Sequence, residues 1–164
     1  SIDGDLTGIH YDMMHLAPPQ RSPDFVKNSP LSTDLGWSSV DKHTMQHAKN
    51  KNIFGCGDIA QLPTAKTGAV IGKQAPIVVA NILSLMVQSI ITTQQYNGYS
   101  SCLLVTGCGK MVLAELDYDK NFTSDPKLKQ MLVFDSSKDH WRLWMLKNML
   151  AYIYWNKMMK RQNV

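Results

Sequence analysis

Asn52-Ile53-Phe54-Gly55-Cys56-Gly57-Asp58 runs an apolar stretch into a glycine-rich turn that ends on a carboxylate. A glycine at position 57 has no Cβ, so a cofactor can approach the backbone closely there. Asp58 can accept a hydrogen bond from a sugar-like hydroxyl, and the N-terminus of a following helix favours an anion or an electron-rich group. Read alone, the same dipeptide is equally a strand turning into a helix capped by Asp58. Gly55-Cys56-Gly57-Asp58-Ile59-Ala60 also has the G-x-G-x-x-A spacing of a dinucleotide fingerprint. That fingerprint needs an acidic residue about 20 positions on. Ile77-Val78-Val79-Ala80-Asn81-Ile82 supplies none, so a complete Rossmann half-site is not present.

The second chemical candidate is sulfur. Cys102 opens the apolar run to Thr106. By itself, a cysteine in an apolar strand is more often inert core. Cys108, beside a turn, reads as structural, and Cys56 as a small buried hydrophobe. Three cysteines with no repeated short spacing argue against a disulfide scaffold and a Cys-rich zinc site. His43 and His47 lie four apart without a third ligand, so no metal is expected and both read as solvent-exposed.

The elements that must position these groups follow from pattern. Residues 9–16 read as a short strand closed by Ala17-Pro18-Pro19, residues 20–36 as a surface loop, and residues 37–40 as a strand. Residues 41–46 read as a turn or short helix, followed by the apolar strand that ends in Gly57-Asp58. Residues 64–91 have the composition of a helix, with Pro76 kinking it near Gly72. Residues 102–106 and 111–118 form a hairpin around Gly107-Cys108-Gly109. Residues 119–129 are a polar loop, and residues 139–160 a second long helix.

With 164 residues, 44% hydrophobic and 18% charged, the chain can build one ordinary core and is not a disordered polymer. From Lys138 to Arg161 six basic residues face Asp139 alone, a net +5, while the whole chain carries only +4. The positive charge thus belongs to the tail, and no nucleic-acid motif accompanies it, so no nucleic-acid partner is expected. Trp141, Trp144, Tyr152, Tyr154 and Trp155 interleave with Lys147, Lys157 and Lys160 there. That mixture suits an amphipathic helix lying in the headgroup zone, or one packing on its own domain. No continuous apolar run reads as long enough to cross a bilayer. Ser1 rather than Met opens the chain, which reads as the middle of a longer sequence.

The stretch from Asn52 to Ala69, with Gln74-Ala75-Pro76 beyond it, resembles the second FAD motif of the sulfide:quinone oxidoreductases. Those enzymes belong to the pyridine-nucleotide-disulfide reductase-like flavoproteins. Tyr11-Asp12-Met13-Met14-His15 with Pro18-Pro19, Gly36-Trp37, Val40-Asp41-Lys42 and Gln46-His47 resemble the mitochondrial-type members. Tyr96 to Gly107 resembles the segment that carries one of their two redox cysteines.

The resemblance implies roles residue by residue. Gly57 and Asp58 would hold the ribityl chain of FAD, and Lys66, Thr67 and Gly68 would lie at its isoalloxazine, where a cation stabilises the reduced ring. Cys102 would carry sulfur, with its partner cysteine upstream of this chain. The implied partners are sulfide, a sulfur acceptor, ubiquinone and a membrane surface met by the C-terminal helix. The implied location is the mitochondrial inner membrane, peripherally. The implied fold is α/β: the C-terminal portion of a flavoprotein with two Rossmann-like dinucleotide-binding domains, a small antiparallel sheet and a C-terminal amphipathic helix. Residues 1–48 would end the NADH-like domain and return to the FAD domain. Residues 49–93 would hold the last FAD-domain strand, the Gly-Asp motif and its helix, and residues 94–164 the sheet and membrane-surface helix. Such a portion is expected to be inactive alone. Two alternatives stand beside this reading: a single-subunit NADH:quinone oxidoreductase-like flavoprotein, which has no need of Cys102, and a non-catalytic membrane-associated fragment.

Overall fold

The structure is a computed structural model that describes residue 8 and residues 10–88 and 94–159. In chain order it has α1 (Asp24–Lys27), a 3-10 turn (Gly57–Ile59), α2 (Gly68–Gln88), β1 (Ser100–Gly107) and β2 (Lys110–Leu116). A second 3-10 turn (Pro126–Met131), α3 (Trp141–Ile153) and a π-turn (Tyr154–Met158) follow.

The first third departs from the sequence expectation. Residues 10–22 have no regular structure and are exposed up to Arg21, so the strand expected over residues 9–16 is absent from its described part. Ile9 lies outside the described residues. A strand needs a neighbour to bond, and this segment has none among the described residues. The strands expected at residues 37–40 and before Gly57 are likewise reduced to single bridges: Ser38 to Ala60, Val40 to His47 and Gln46 to Phe54. The cause is local. Asp41 Oδ1 accepts from the backbone N–H of His43 and of Thr44, and Met45 follows in the left-handed region at φ 64°. The chain therefore reverses too sharply for a ladder to form.

Residues 41–46 form the expected turn, but the two histidines are not solvated. His47 is 2% exposed, with Nε2 against the carbonyl of Leu31 and Nδ1 accepting from the N–H of Lys49 and of Asn50. His43 is half-buried, with Nδ1 3.0 Å from the carbonyl of Tyr96.

α2 starts at Gly68 and runs through Pro76 without breaking. Over Gly68–Val87 its mean hydropathy of 1.6 makes it long and apolar enough to cross a membrane by length and composition, contrary to the expectation that no run would be. Lys73 is exposed and pairs with Asp125, but the uncharged polar residues that interrupt the run point inward. Gln74, Asn81 and Ser84 are buried with Val70, while Ile71, Val79, Ile82, Leu83, Met86 and Val87 face out. Val70 packs with Met45 and Tyr96 in one small core, joined by Ile77, Val78 and Tyr118.

β1 and β2 pair antiparallel as expected, with Cys102 opposite Ala114 and Leu103 opposite Leu113. Gly109, at φ 69°, makes the turn. Met111, Leu113 and Glu115 are buried on one face, as the period of two requires. Met111 and Leu113 join Leu128, Val133 and Leu143 in a second core. The polar loop expected over residues 119–129 instead ends in a 3-10 turn. Asp125 caps it by accepting from the N–H of Lys127, and Pro126 stands at its first position.

Of the helix expected over residues 139–160, helical structure runs from Trp141 to Met158, as α3 and the π-turn that follows it, and Lys160 lies outside the described residues. His140 caps α3 through Nδ1, which accepts from the N–H of Arg142, and it passes into the π-turn at Tyr154. It is apolar on two sides rather than one. Leu143, Leu146 and Leu150 turn inward, while Trp141, Met145, Met149 and Tyr152 form an exposed stripe at helical spacing.

Candidate functional site

The glycine at position 57 is required twice. Its φ of 68° is one that L side chains rarely adopt, and a Cβ there would stand 3.1 Å from Ile71. Its buried N–H donates to Gln74 Oε1 at 2.7 Å, so α2 holds the turn from behind. An unpartnered buried N–H costs about 1–3 kcal/mol, which gives Gln74 a definite task. The sequence marked Gln74 only as part of a resembling stretch and assigned it no task.

Asp58 follows on the 3-10 turn and is exposed. It does not cap α2, which starts ten residues later. Between them the chain returns so that Lys66 Nζ donates to the carbonyl of Ala60 at 2.6 Å. The ammonium also sits 4.1 Å from the centre of the Trp37 ring. Burial pushes the Lys66 pKa down, and the Asp58 carboxylate opposes that shift. Thr67 then donates from Oγ1 to the carbonyl of Ser101 at 3.2 Å, which ties this segment to the strand that bears Cys102. Gly68 opens α2 on the surface, with nothing within 4 Å of where a Cβ would be.

Cys102 is exposed. Its pairing with Ala114 puts it on the side of the hairpin away from Leu113 and Glu115. The expectation of an inert core thiol therefore fails for Cys102. Cys108, read as structural, is exposed at the turn. Cys56 is half-buried, and burial pushes its thiol pKa up. Among the described residues no three His, Cys, Asp or Glu side chains gather as a metal site.

The structure thus brings Lys66 onto the Ala60 carbonyl near Asp58 and ties Thr67 to the neighbour of Cys102, while Gly57 is buried behind the turn and Gly68 is exposed. Sequence reading gave no role to Trp37, nor to Glu115, whose Oε1 accepts from the Tyr99 hydroxyl at 2.6 Å and from the N–H of Asp125. The period of two puts Glu115 on the face of Met111 and Leu113, which was the signal available for its burial.

No family model matches the chain. Among curated proteins it is 39% identical over 158 residues to the mitochondrial sulfide:quinone oxidoreductase of Mus musculus, covering 96% of this chain and 34% of that protein. It is 38% identical over 154 residues to the Dictyostelium discoideum protein of that name, covering 93% and 32% respectively. The Schizosaccharomyces pombe protein of that name is 44% identical over 116 residues, covering 71% of this chain and 25% of that one. The chain belongs to the mitochondrial-type sulfide:quinone oxidoreductase family. It spans about a third or less of the length of these relatives.

A match that covers 96% of the chain leaves out only a few residues, so both the Gly57-Asp58 turn and the Cys102 strand lie within the part shared with the mouse sulfide:quinone oxidoreductase. A solved relative has the same fold over most of the chain. It is a chain of the Tetrahymena thermophila mitochondrial ATP synthase F1Fo cryo-EM structure, with TM-score 0.60 and 30% identity, covering 86% of this chain and 31% of that one.

Proposed function

We propose that this chain is the C-terminal catalytic portion of a sulfide:quinone oxidoreductase. The observation that carries the reading is the Thr67–Ser101 hydrogen bond, which couples the Gly57–Gly68 segment to the Cys102 strand. The same division of labour extends to domains. Residues 49–93 would complete an FAD domain of Rossmann type, residues 1–48 would lead into it, and residues 94–164 would carry sulfur chemistry and membrane contact.

The residues fit FAD by the chemistry of their donors and acceptors. The exposed Asp58 carboxylate suits ribityl hydroxyls. The open approach at Gly68 leaves room for a planar ring, and the Lys66 ammonium supplies positive charge beside it. Bound there, FAD would provide the two-electron acceptor between sulfur and quinone. The net reaction is sulfide plus a thiol acceptor plus ubiquinone, giving a persulfide and ubiquinol. One S–S bond forms, and two electrons and two protons pass to the quinone. Cys102, exposed on the open face of the hairpin, would hold sulfur in that exchange with a cysteine supplied by the rest of the enzyme.

Quinone access is supported by an apolar cleft of about 360 Å³ between the start of α2 and the end of α3, lined by Gly68, Ala69, Leu150, Ala151 and Tyr154. It connects the tail to the residue we place at the flavin. The outward stripe of α3 and the exposed Trp155, with Arg142 and Lys147 stacked on Trp141 and Trp144, suit a helix resting in the headgroup layer. The location that follows is the mitochondrial inner membrane, peripherally. The test is FAD content and sulfide-driven flavin bleaching in the full-length protein. Asp58→Ala should lose FAD, whereas Cys102→Ser should keep FAD and lose bleaching. Retention of bleaching in Cys102→Ser would remove the sulfur role.

A further inference from the structure

Lys66 is a long, flexible side chain, and a point charge is useful at a cofactor only if it is held in one place. Two groups from separate parts of the chain hold it. The Ala60 carbonyl takes one of its three N–H donors, and the Trp37 ring covers the ammonium at 4.1 Å. Trp37 is itself fixed. Its carbonyl accepts from the N–H of Thr33, and the next residue, Ser38, bridges to Ala60 in both directions: Ser38 N–H to the Ile59 carbonyl, and Gln61 N–H to the Ser38 carbonyl. The indole is therefore carried on backbone that is bonded to the Gly57–Ala60 turn, 29 residues away from Lys66 in sequence. Ring, turn and ammonium are thus joined to one another by these contacts.

The geometry points to Trp37 as the positioning residue for Lys66: the indole face and the Ala60 carbonyl together fix the ammonium beside the Gly57-Asp58 turn, and Trp37 thereby governs how strongly the chain stabilises negative charge on the bound ring. This rests on the reading that Lys66 faces the flavin. It adds that the charge is set by an aromatic residue that need not touch the cofactor. A cation over an indole is held electrostatically by the ring's negative face and sterically by its breadth. Phenylalanine keeps the first in part, and leucine keeps neither.

The experiment uses the full-length flavoprotein with its lysines ¹³C-dimethylated, and Lys66→Met identifies the Lys66 signal. A group stacked on an indole face is shifted upfield by the ring current. The wild type should show Lys66 upfield of the common position of lysines that face no aromatic ring, Trp37→Leu should return it to that position without moving Lys147 over Trp144, and Trp37→Phe should leave it intermediate. A Lys66 signal already at the common position in the wild type overturns the clamp. A second readout on the same proteins is the flavin midpoint potential. Lys66→Met and Trp37→Leu should both lower it, and the double variant should be no lower than Lys66→Met alone, because Trp37 acts through Lys66. kcat should fall roughly three- to tenfold in Trp37→Leu with KM for sulfide unchanged, and Trp37→Phe should recover most of the loss. Additive potentials in the double variant overturn the positioning role. A potential unmoved by Lys66→Met, with the upfield shift intact, overturns the placement of Lys66 at the flavin and the role of Trp37 with it.

Discussion

Gly98 stands two residues before β1, and replacing it with alanine tests how the chain enters the strand that bears Cys102. Its φ of 84° lies in the left-handed region, where a Cβ costs about 1–2 kcal/mol. That Cβ would also stand 2.6 Å from Cδ1 and Cδ2 of Tyr118. The ring has little freedom to retreat, because its hydroxyl donates to the Lys42 carbonyl and its edges meet Tyr96 and His43. Overpacking of this kind adds about 1–3 kcal/mol. Gly98→Ala should therefore destabilise by roughly 2–5 kcal/mol, against a total of about 5–15 kcal/mol for a domain. In a chain of this size each kcal/mol moves Tm by roughly 2–4 °C. Thermal unfolding should thus show Tm lowered by about 4–20 °C, and the reactivity of the Cys102 thiol four residues on should change with it. A Tm within about 2 °C of wild type, a shift worth less than ~1 kcal/mol, would refute the claim that glycine is needed there.

Other outcomes follow from the same contacts. Gln74→Leu leaves the buried Gly57 N–H without its acceptor and should cost about 1–3 kcal/mol in denaturant titration, with weaker FAD retention. Burial acts to raise the Asp41 pKa, but the N–H groups of Thr44 and His43 and the Thr44 hydroxyl outweigh it, so the carboxyl is held below its ordinary value of 3.8. Its contribution is present above that value and is lost as pH falls through the lower folded value. Asp41→Asn should therefore lower Tm at neutral pH, with the difference closing below about pH 4. Met145→Glu with Met149→Glu interrupts the exposed stripe of α3 and should reduce sedimentation with anionic liposomes about tenfold or more.

The hairpin was legible because two short apolar runs flank Gly107-Cys108-Gly109, and a run bounded by a glycine turn is local information. The Gly57-Asp58 turn was legible for the same reason. What failed was everything decided by distant partners. Residues 37–40 and 52–56 have strand composition, yet the Asp41 turn and the left-handed Met45 leave them only isolated bridges. His47 is buried because loop N–H groups converge on its Nδ1, which no periodicity records. α2 reads correctly as an apolar helix, but composition cannot say that Gln74 and Asn81 face inward and the aliphatic stripe outward. The Trp37–Lys66 contact joins residues far apart in sequence, so neither side chain reveals it alone.

The central claim is that Cys102, held beside the Gly57–Gly68 segment, handles sulfur. The direct measurement is sulfide-dependent ubiquinone reduction by the full-length protein, wild type beside Cys102→Ser, with the flavin spectrum recorded for both. The account predicts loss of quinone reduction in the variant with the flavin spectrum unchanged. Equal rates in the two proteins would contradict it, leaving the flavoprotein surface without its proposed sulfur chemistry.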